Sequence, residues 1–356
     1  MVSFKEGKVS EILNRRKGLT KVKVKVNGKT ADALNYDYLT GEVSVGDGVI
    51  LNTVAVDLNL GTGGKHFILW NLSRSNFSSP PNGHIMKLRY TPLQMSFLSV
   101  EENDLYRRQL QENLSLEGLP VIIGTLHSQL APVAVTLKEV NKDLKLAYIM
   151  TDAGALPLAL SDLVAELKSA KLLDTTITVG QAYGGDFEAI NIFSALVAAK
   201  KVAQADVVVV IMGPGVVGTD SFLGFSAIEQ GEIINAVSVL GGKPVAIPRL
   251  SFKDKRKRHF GISHHTLTAL SLAALASATV AVPKMPEDKM KMVLKELEES
   301  GASSKHEVKI VDNEITLRAL KKHKIKVTTM GRTPAEEPEF FKAAGSAALY
   351  ALELLK

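Results

Sequence analysis

The sequence DVVVVIMGPGVVGT, residues 206–219, decides the fold that we predict for this chain. Its first half is a continuous apolar run, and such a run without polar alternation is typical of a strand covered on both faces. Gly213, Gly215 and Gly218 follow this run closely, and glycine allows the sharp turn that brings backbone N–H groups near a ligand. The stretch therefore predicts a central parallel strand that ends at a binding site.

Similar apolar runs alternate with amphipathic segments from residue 119 to the end of the chain. Strands are predicted at 121–124, 144–150, 175–179, 207–212, 244–247 and 279–282, with shorter ones at 308–311 and 326–329. Helices are predicted at 158–169, 188–203, 225–240, 264–277, 287–300, 315–322 and 339–355. This alternation is typical of right-handed crossovers in a parallel sheet with helices on both faces. We therefore predict a three-layer, mostly parallel, Rossmann-like α/β domain over residues 119–356.

The N-terminal part of the chain has a different pattern, of short strands and tight turns. KVKVKVNG at 21–28 alternates lysine with valine and ends in Asn27-Gly28, a strong hairpin signal. The turn spacing predicts a small all-β, barrel-like domain over 1–75, followed at 76–118 by a linker with a connecting strand and helix. These lysines are expected at the outward-facing positions of half-buried strands, where they keep the surface charged. The same positive charges could also bind nucleic acid.

Composition narrows the class of protein. The chain has 356 residues, 46% of them hydrophobic, and it has no cysteine. The lack of cysteine excludes disulfides and thiolate chemistry, and it is expected in a reducing compartment. Because the sequence shows neither a signal-peptide pattern nor an apolar run of membrane-spanning length, we expect a cytoplasmic protein without membrane contact. The net charge of +6 is mild for a chain of this length.

Chemically active residue types collect in the segments that leave the predicted strands. Asp152 follows the strand at 144–150, Gln181 follows the strand at 175–179, and Arg249 lies just beyond the strand at 244–247. Ligands of open parallel sheets bind at the carboxyl ends of the strands, near the switch in strand order. The sequence therefore predicts a single ligand site along this edge.

The glycine pattern Gly213-x-Gly215-x-x-Gly218 matches the dinucleotide-binding fingerprint, but it comes several strands into the domain. No acidic residue ends the next strand to bind a ribose hydroxyl, whereas Arg249 suits a 2′-phosphate, so an NADP-dependent enzyme is one alternative. We favour a loop whose amides, with Thr219, cradle a phosphate or a carboxylate. A turn required only by the buried strand is the structural alternative.

The most distinctive stretch, RLSFKDKRKRHFGISHHTL, begins at Arg249 and contains a basic run. Arg256 and Arg258 belong to this run, which forms a solvated loop, a lid over an anion or a contact with nucleic acid. Because the run precedes a helix with a strong N-cap signal, we prefer the lid to the nucleic-acid contact.

Ser263 is a natural N-cap for the helix predicted at 264–277, and the N-terminus of such a helix attracts anions. His264 and His265 follow the cap, and a histidine in this place stays neutral, ready to exchange a proton or to ligate a metal. Because adjacent residues of a helix point in different directions, we expect only one of the two to face the ligand.

A metal centre is a further alternative, since separate strand ends supply enough ligands for one. The candidates are His127, Asp152, Asp186, Asp220, His259, His264 and His265. No local ligand motif joins them, and an isolated aspartate is more often a cap residue, as Asp186 is if it caps the helix predicted at 188–203. Neither a Gly-x-Ser-x-Gly elbow nor a Walker loop occurs, which argues against hydrolase-fold and P-loop chemistry.

Four stretches resemble a bacterial family of roughly this length that is known only as a domain of unknown function. They are GPGVVGT at 213–219, GFS at 224–226, QGE at 230–232 and HFGISHHTLTAL at 259–270. The resemblance covers the whole chain, and it brings no activity, cofactor or catalytic residue to carry over.

We therefore expect a cytoplasmic protein that binds a small anionic ligand, with a phosphate or a carboxylate, at the carboxyl edge of the sheet. If it is an enzyme, Asp152 and one of His264 or His265 are its acid–base residues, and the arginines of the distinctive stretch hold the anion. The sequence specifies no cofactor, and a second copy of the chain is an expected partner. The rival is a nucleic-acid-binding or regulatory protein that uses the basic β domain and the loop at 253–258, which we disfavour because no exposed aromatic cluster is evident.

Overall fold

The computed structural model of the protein describes residues 2–61, 63–79, 83–152, 154 and 156–356. The chain forms two compact units, Met1–Phe97 and Leu98–Lys356. The segment 76–118, predicted as a linker, contributes residues to both units.

The first unit is a closed five-stranded barrel with the strand order β1-β2-β3-β5-β4. Its elements are β1 (Phe4–Arg16), β2 (Leu19–Val26), β3 (Lys29–Asn35), α1 (Asp37–Thr40), β4 (Gly48–Asn52), α2 (Val54–Asp57), β5 (His66–Asn71), and the separate pair β6 (Ile85–Lys87) and β7 (Met95–Phe97). On β2 the valines are buried and the lysines between them are half-buried or exposed. Asn27 and Gly28 have φ of 50° and 72°, as a two-residue hairpin turn requires. The predicted barrel is confirmed.

The second unit is built on an eight-stranded sheet in which every strand pair is parallel. The eight strands of this sheet are β8 (Pro120–Ile123), β9 (Leu146–Met150), β10 (Thr175–Val179), β11 (Phe187–Ala189), β12 (Val207–Val210), β13 (Lys243–Ala246), β16 (Thr279–Pro283) and β17 (Glu307–Val311). A separate small antiparallel pair, β14 (Leu250–Ser251) and β15 (Gly261–Ile262), lies between β13 and β16 in the sequence. All residues of β8, β9 and β12 are buried. The predicted Rossmann-like α/β fold is confirmed.

Helices and helical turns connect these strands. The α-helices are α3 (Asp104–Arg107), α4 (Leu130–Val140), α5 (Asp162–Ser169), α6 (Ile192–Lys201), α7 (Glu229–Val239), α8 (His264–Thr268), α9 (Glu287–Glu299), α10 (Ala302–Lys305), α11 (Ile315–Lys322) and α12 (Pro338–Glu353). Within the described residues, no helix combines the length and the apolar character that a membrane crossing requires.

The strand order places a switch point in the middle of the sheet. The order is β11-β10-β9-β12-β8-β13-β16-β17. From β8 the chain first adds β9, β10 and β11 on one side, then returns to insert β12 beside β8 and continues with β13 on the other side. The carboxyl ends of β12, β8 and β13 therefore surround the place where such sheets bind ligands.

Several elements differ from the prediction. Helix α4 is not predicted by the pattern, because nine of its residues are buried and a helix covered all round has no amphipathic period. Residues 326–329 form no strand, only an isolated bridge between Thr329 and Arg332. The segment 188–203 begins with residues of β11 before α6, and the helical spacing after Asp104 yields only the short α3.

The helix predicted at 264–277 is also shorter than the pattern indicates. The α-helix ends at Thr268, and a π-helical turn, Ala269–Ala273, replaces its second half. Helix α7 packs closely on this turn at Gly231, where an added Cβ would lie 2.6 Å from both Ala273 Cβ and Ala274 N. Close packing therefore explains the glycine inside α7.

Candidate functional site

Four neighbouring parallel strands bring predicted site residues to one edge of the sheet. In the spatial order β9-β12-β8-β13, the strands are followed by Asp152, by the glycine loop 213–218, by His127 and by Arg249. We call this edge the carboxyl rim. Because all four strands run the same way, residues far apart in the sequence meet there.

The glycine loop folds back on itself and does not open a helix. Thr219 N donates to Gly224 O over 2.8 Å, and Gly218 forms an isolated antiparallel bridge with Phe225. The next α-helix, α7, begins only at Glu229. The dinucleotide fingerprint places a helix N-terminus directly after the glycines, so the NADP alternative gains no support from this geometry.

The glycines of the loop serve its turn and its packing. Gly215 has a φ of 106°, which residues with a Cβ rarely adopt. An added Cβ would lie 3.1 Å from Met150 Sδ at Gly213, and 3.1 Å from His265 Cε1 at Gly218. The absence of a side chain at Gly218 therefore lets a histidine ring lie against the loop. A cradle of amides around an anion stays a prediction.

Three histidine rings form a cluster after β13. The ring centroids of His264 and His265 lie 4.3 Å apart, and the ring of His259 lies 5.2 Å from the first and 5.0 Å from the second. One ring nitrogen from each histidine lies within 4.8 Å of those of the other two. Phe225 stacks on His265 with a centroid distance of 4.0 Å. We call these three residues the histidine cluster.

The two adjacent histidines leave α8 in different directions but belong to the same cluster. A helix turns by about 100° per residue, so the side chains of His264 and His265 leave α8 in different directions. Both rings nevertheless reach His259 on the preceding loop, because the loop folds back over the start of the helix. The structure thus brings both rings into one cluster, and the expectation that only one of the pair faces the ligand stays a prediction.

Hydrogen bonds fix part of the histidine cluster. Ser263 Oγ accepts from His265 N as the predicted N-cap, and it lies 2.7 Å from His259 Nδ1. Arg258 Nε lies 3.3 Å from His259 Nε2. Because a guanidinium can only donate, Nε2 is the acceptor and Nδ1–H donates to Ser263. His264 Nε2 and His265 Nδ1 are buried and have no hydrogen-bond partner among the described residues.

The surroundings hold all three imidazoles in the neutral form. Burial, reinforced by nearby arginines, lowers the pKa of His259 to about 4. Burial, reinforced by the neighbouring histidines, lowers the pKa of His265 to about 3. The pKa of His264 is also lowered, again chiefly by burial. A neutral imidazole offers one donor and one acceptor, and its lone pair can bind a metal.

Arg249 is the cation that lies behind the histidine cluster. Its residue is 6% exposed, and its charge contributes to the lowered pKa of all three histidines. Burial, together with Arg256, lowers the pKa of Arg249 to about 10, so the guanidinium is charged at neutral pH. Its one ion pair with a described residue, Asp254, spans 3.9 Å. No hydrogen bond from the guanidinium to a described residue is formed.

The other two predicted arginines already have carboxylate partners. Arg256 donates to Asp254 through Nε over 3.0 Å and through Nη2 over 2.8 Å, which holds the pKa of Asp254 well below its usual range. Arg258 pairs with Asp220, whose side chain is 85% exposed. Arg256 is therefore bound within its own loop, whereas Arg258 stands beside the histidine cluster with an exposed counter-ion.

Glu229 is a rim residue that the sequence interpretation missed. It begins α7, and Thr151 Oγ1 donates to its Oε1 over 2.7 Å. Burial, with a smaller effect of Asp152, raises the pKa of Glu229 from 4.5 to about 7. Asp152 is exposed and accepts a hydrogen bond of 3.1 Å from the backbone N of Gln181. The available signal was an acid in the first turn of a helix that starts at this edge.

His127 lies at the same rim but belongs to a separate group of side chains. Its Nε2 lies 2.7 Å from Ser161 Oγ, and its Nδ1 lies 3.3 Å from the hydroxyl of Tyr148. Burial lowers its pKa to about 4. Both ring nitrogens have partners, so the structure gives this metal candidate no free ligand atom.

Asp186 lies at the opposite edge of the sheet, which excludes it from the rim. It accepts hydrogen bonds of 2.9 Å from Thr176 N and Oγ1 near the start of β10, and it pairs with Lys168. It does not cap a helix either, since β11 follows it and Asn191 caps α6. The metal role that the sequence suggested for Asp186 is therefore incompatible with its position.

Glu337 supports the rim from behind and was also missed. It is 0% exposed and accepts hydrogen bonds of 2.8 Å from Ser251 Oγ and Phe252 N. Arg332 Nε lies 2.8 Å from its carboxylate. These contacts tie the start of α12 to β14, next to Arg249. Ser251 and Phe252 lie 86 and 85 positions away from Glu337 in sequence, so no local pattern predicts these two contacts.

Comparison with known proteins places the chain in a family. A comparison with curated proteins finds no match. Among solved structures, a similar one is the crystal structure of YjeQ from Thermotoga maritima, which is 13% identical, covers 63% of this chain and 73% of its own, and has a TM-score of 0.15. A likeness of this size carries no argument. The family model described as "Protein of unknown function (DUF3866)" matches residues 32–348, and the chain therefore belongs to that family.

Proposed function

We propose that the protein binds a small oxyanion, a phosphate or carboxylate group, at the carboxyl rim beside the histidine cluster. Arg249 supplies the charge, Arg258 a second guanidinium, and His264 and His265 the polar ring nitrogens. This keeps the anion predicted from the sequence. It moves the source of attraction from the helix N-terminus to the guanidinium groups, because α8 has only five residues.

One observation carries the proposal, the buried guanidinium of Arg249. A buried charge is costly unless hydrogen bonds and an opposite charge compensate it. Asp254 compensates it only in part, because its carboxylate is 3.9 Å away and is engaged by Arg256. An oxyanion accepts the planar donors of a guanidinium in pairs. A bound phosphate or carboxylate therefore supplies the charge compensation that Asp254 gives Arg249 only in part.

Neighbouring groups also suit an anion. His264 Nε2 and His265 Nδ1 lack partners among the described residues, and each can donate in the appropriate tautomer. Asp152 follows β9, one strand away from the glycine loop, and Glu229 at the start of α7 accepts a hydrogen bond from the neighbouring Thr151. If the bound ligand reacts, these carboxyl groups and the histidines are the acid–base candidates, and burial raises the pKa of Glu229 to about 7.

The experiment is calorimetric titration of the full chain with inorganic phosphate. Arg249→Met removes the guanidinium but keeps most of the side-chain volume. We expect phosphate affinity to fall about 10- to 150-fold, as for the loss of a hydrogen bond to a charged group, about 1.5–3 kcal/mol. Because the change also removes an incompletely paired buried charge, the melting temperature should stay constant or rise.

Arg318→Met is the matched control, since Arg318 is exposed on α11 and far from the rim in sequence. It should change neither phosphate affinity nor stability by more than a small amount. Equal phosphate affinity in the wild type and Arg249→Met contradicts the proposal. So does unfolding of Arg249→Met, because Arg249 is then a structural residue.

A cavity in the first unit favours a second candidate function, the binding of nucleic acid. The cavity has a volume of 660 Å³, within the range of about 300–1,000 Å³ for ligand pockets. It is lined by Arg15, Arg16, Lys17, Gly18, Asp37, Tyr38, Gly41, Glu42, Arg74 and Phe77. Four cationic side chains thus accompany two acidic ones, and two aromatic rings offer a surface for base stacking.

Titration with a fluorescent single-stranded oligonucleotide tests this second function. Lys17→Gln should weaken binding and reduce the slope of log affinity against log salt by about 1. Lys29→Gln removes the same charge from the first unit outside the cavity and should have no such effect. Absence of oligonucleotide binding at about 50 mM salt eliminates this function.

A further inference from the structure

We propose that His259, His264 and His265 together bind one divalent transition-metal ion of the zinc class. The inference goes beyond anion binding, because it assigns a metal centre to the histidine cluster. Three imidazoles are a common donor set for zinc, with an open fourth position for water or an anion. Such a set also accepts cobalt, which serves as a spectroscopic probe.

The first argument is the convergence of the ring nitrogens. One nitrogen from each histidine lies within 4.8 Å of those from the other two. Ligand nitrogens on a tetrahedral zinc, with Zn–N of about 2.0–2.1 Å, lie about 3.4 Å apart. Small rotations of the side chains therefore suffice to close the set.

The second argument is that buried nitrogens of the cluster lack partners. His265 is 5% exposed and its Nδ1 has no hydrogen bond, and the buried Nε2 of His264 has none either, among the described residues. Elsewhere in the second unit, His306 accepts from Ala278 N and contacts Leu270 O, and both nitrogens of His127 are likewise bonded. Buried polar atoms are normally paired, so these two unpaired nitrogens indicate a ligand that binds to the cluster.

The third argument concerns the orientation of His259. Its Nδ1–H donates to Ser263 Oγ over 2.7 Å, which leaves the lone pair on Nε2. A metal-binding histidine usually donates its second ring N–H in this way, and the contact fixes the tautomer. The lone pair now accepts a long bond of 3.3 Å from Arg258. A metal ion replaces this bond, and Arg258 keeps Asp220 as its partner.

The charge around the cluster sets the condition for metal binding. Arg249 and Arg258 oppose a divalent cation, and no carboxylate belongs to the cluster found among the described residues. An anion in the fourth position offsets this repulsion, since it pairs with both the metal and Arg249. We therefore infer that metal and anion bind cooperatively. Cooperativity rests on the proposed function, whereas the metal site itself does not.

The test uses the full chain, titrated with Co²⁺ and then with Zn²⁺, and followed by visible absorption and calorimetry. The wild type should bind one ion with the intense absorption bands of a four-coordinate centre. His264→Phe keeps an aromatic ring for packing against Phe225 but removes a ligand, and it should weaken binding at least about 100-fold. Ser263→Ala should weaken it about 10- to 100-fold, as for loss of an orienting partner.

His323→Ala is the matched control, because His323 lies at the end of α11 next to Glu139, outside the cluster. It should bind Co²⁺ as the wild type does. Failure of the wild type to bind a stoichiometric ion overturns the inference, as does unchanged affinity in a folded His264→Phe variant. If that variant does not fold, His265→Phe, which keeps a ring to stack on Phe225, decides in the same way.

Repeating the titration with phosphate separates the two proposals. In the wild type, phosphate should tighten Co²⁺ binding, and Arg249→Met should abolish this effect while it retains Co²⁺. Phosphate binding without any Co²⁺ binding overturns the metal site and leaves the anion proposal intact. If Co²⁺ affinity is the same with and without phosphate, and phosphate alone does not bind, the metal site is supported and the anion proposal is overturned.

Discussion

Burial acts in opposite ways on the ionisable residues of the rim. Arg249 keeps its charge, since a pKa of about 10 leaves it protonated at neutral pH. Glu229 loses its charge near neutrality, since its pKa is about 7. A guanidinium cannot escape the cost of burial by releasing a proton, whereas a carboxylate can take one up. This difference makes Arg249 dependent on an anion and makes Glu229 a group that changes state at physiological pH.

The raised pKa of Glu229 predicts a pH-dependent stability. Because the folded protein prefers the protonated carboxyl, its contribution is fully present below pH 4.5 and is lost as the pH rises towards 7. The loss through this group reaches at most about 3 kcal/mol. Glu229→Gln should abolish it, so that the variant equals the wild type near pH 4.5 and is more stable near pH 8. Urea unfolding at the two pH values measures the difference.

The matched control is Glu298→Gln on the exposed face of α9, which should not change the pH profile. The same stability difference between Glu229→Gln and the wild type at both pH values would show that Glu229 does not titrate in this range.

At the scale of single residues, the sequence identifies which residues are candidates for the site, but it does not show their hydrogen-bond and ion-pair partners. The position of Arg249 after a predicted strand was sufficient to assign it to the rim. Nothing local showed that Arg256 binds Asp254 two residues before it, or that Asp186 joins the opposite edge of the sheet. Partner choice depends on side-chain directions that only the folded loops define.

At the scale of elements, Glu337 links α12 to the strand pair that flanks the site. Its carboxylate holds Ser251, Phe252 and Arg332. Glu337→Ala should cost about 1.5–3 kcal/mol of unfolding free energy, because it leaves the half-buried guanidinium of Arg332 and the N–H of Phe252 without their charged acceptor. It should also weaken phosphate binding, since β14 directly follows Arg249. Chemical unfolding and calorimetry measure the two effects.

The neighbouring Glu336→Ala serves as the control. Glu336 is exposed, and among the described residues it accepts hydrogen bonds only from Thr333, so its loss should cost about 1 kcal/mol or less. A small, similar cost for both variants contradicts the supporting role of Glu337.

The elements that sequence predicts best are those with a clear period or a clear end. The alternating lysines and valines of β2 predict a barrel strand, and the unbroken valines of β12 predict a central strand. Helix α4 could not be predicted from hydrophobic periodicity, because it is buried on nearly all sides. The π-helical turn after Thr268 could not be predicted either, because it packs closely against Gly231, which belongs to a distant segment of the chain.

At the scale of the molecule, the parallel sheet creates the site. The alternation of strands and helices was sufficient to predict that the strands share one carboxyl edge, because strands joined by helical crossovers are parallel. It was not sufficient to predict the order β9-β12-β8-β13, which decides that the glycine loop packs on the histidine cluster. We infer from this arrangement that the rim is a ligand site and not merely a packed edge of the sheet.

The most direct measurement of that claim is a crystal structure of the full chain soaked with Zn²⁺ and phosphate, with anomalous data at the zinc edge. We predict one anomalous peak among the rings of the histidine cluster, and a phosphate hydrogen-bonded to Arg249. A rim without either ion, with zinc and phosphate bound only elsewhere on the protein, contradicts this inference.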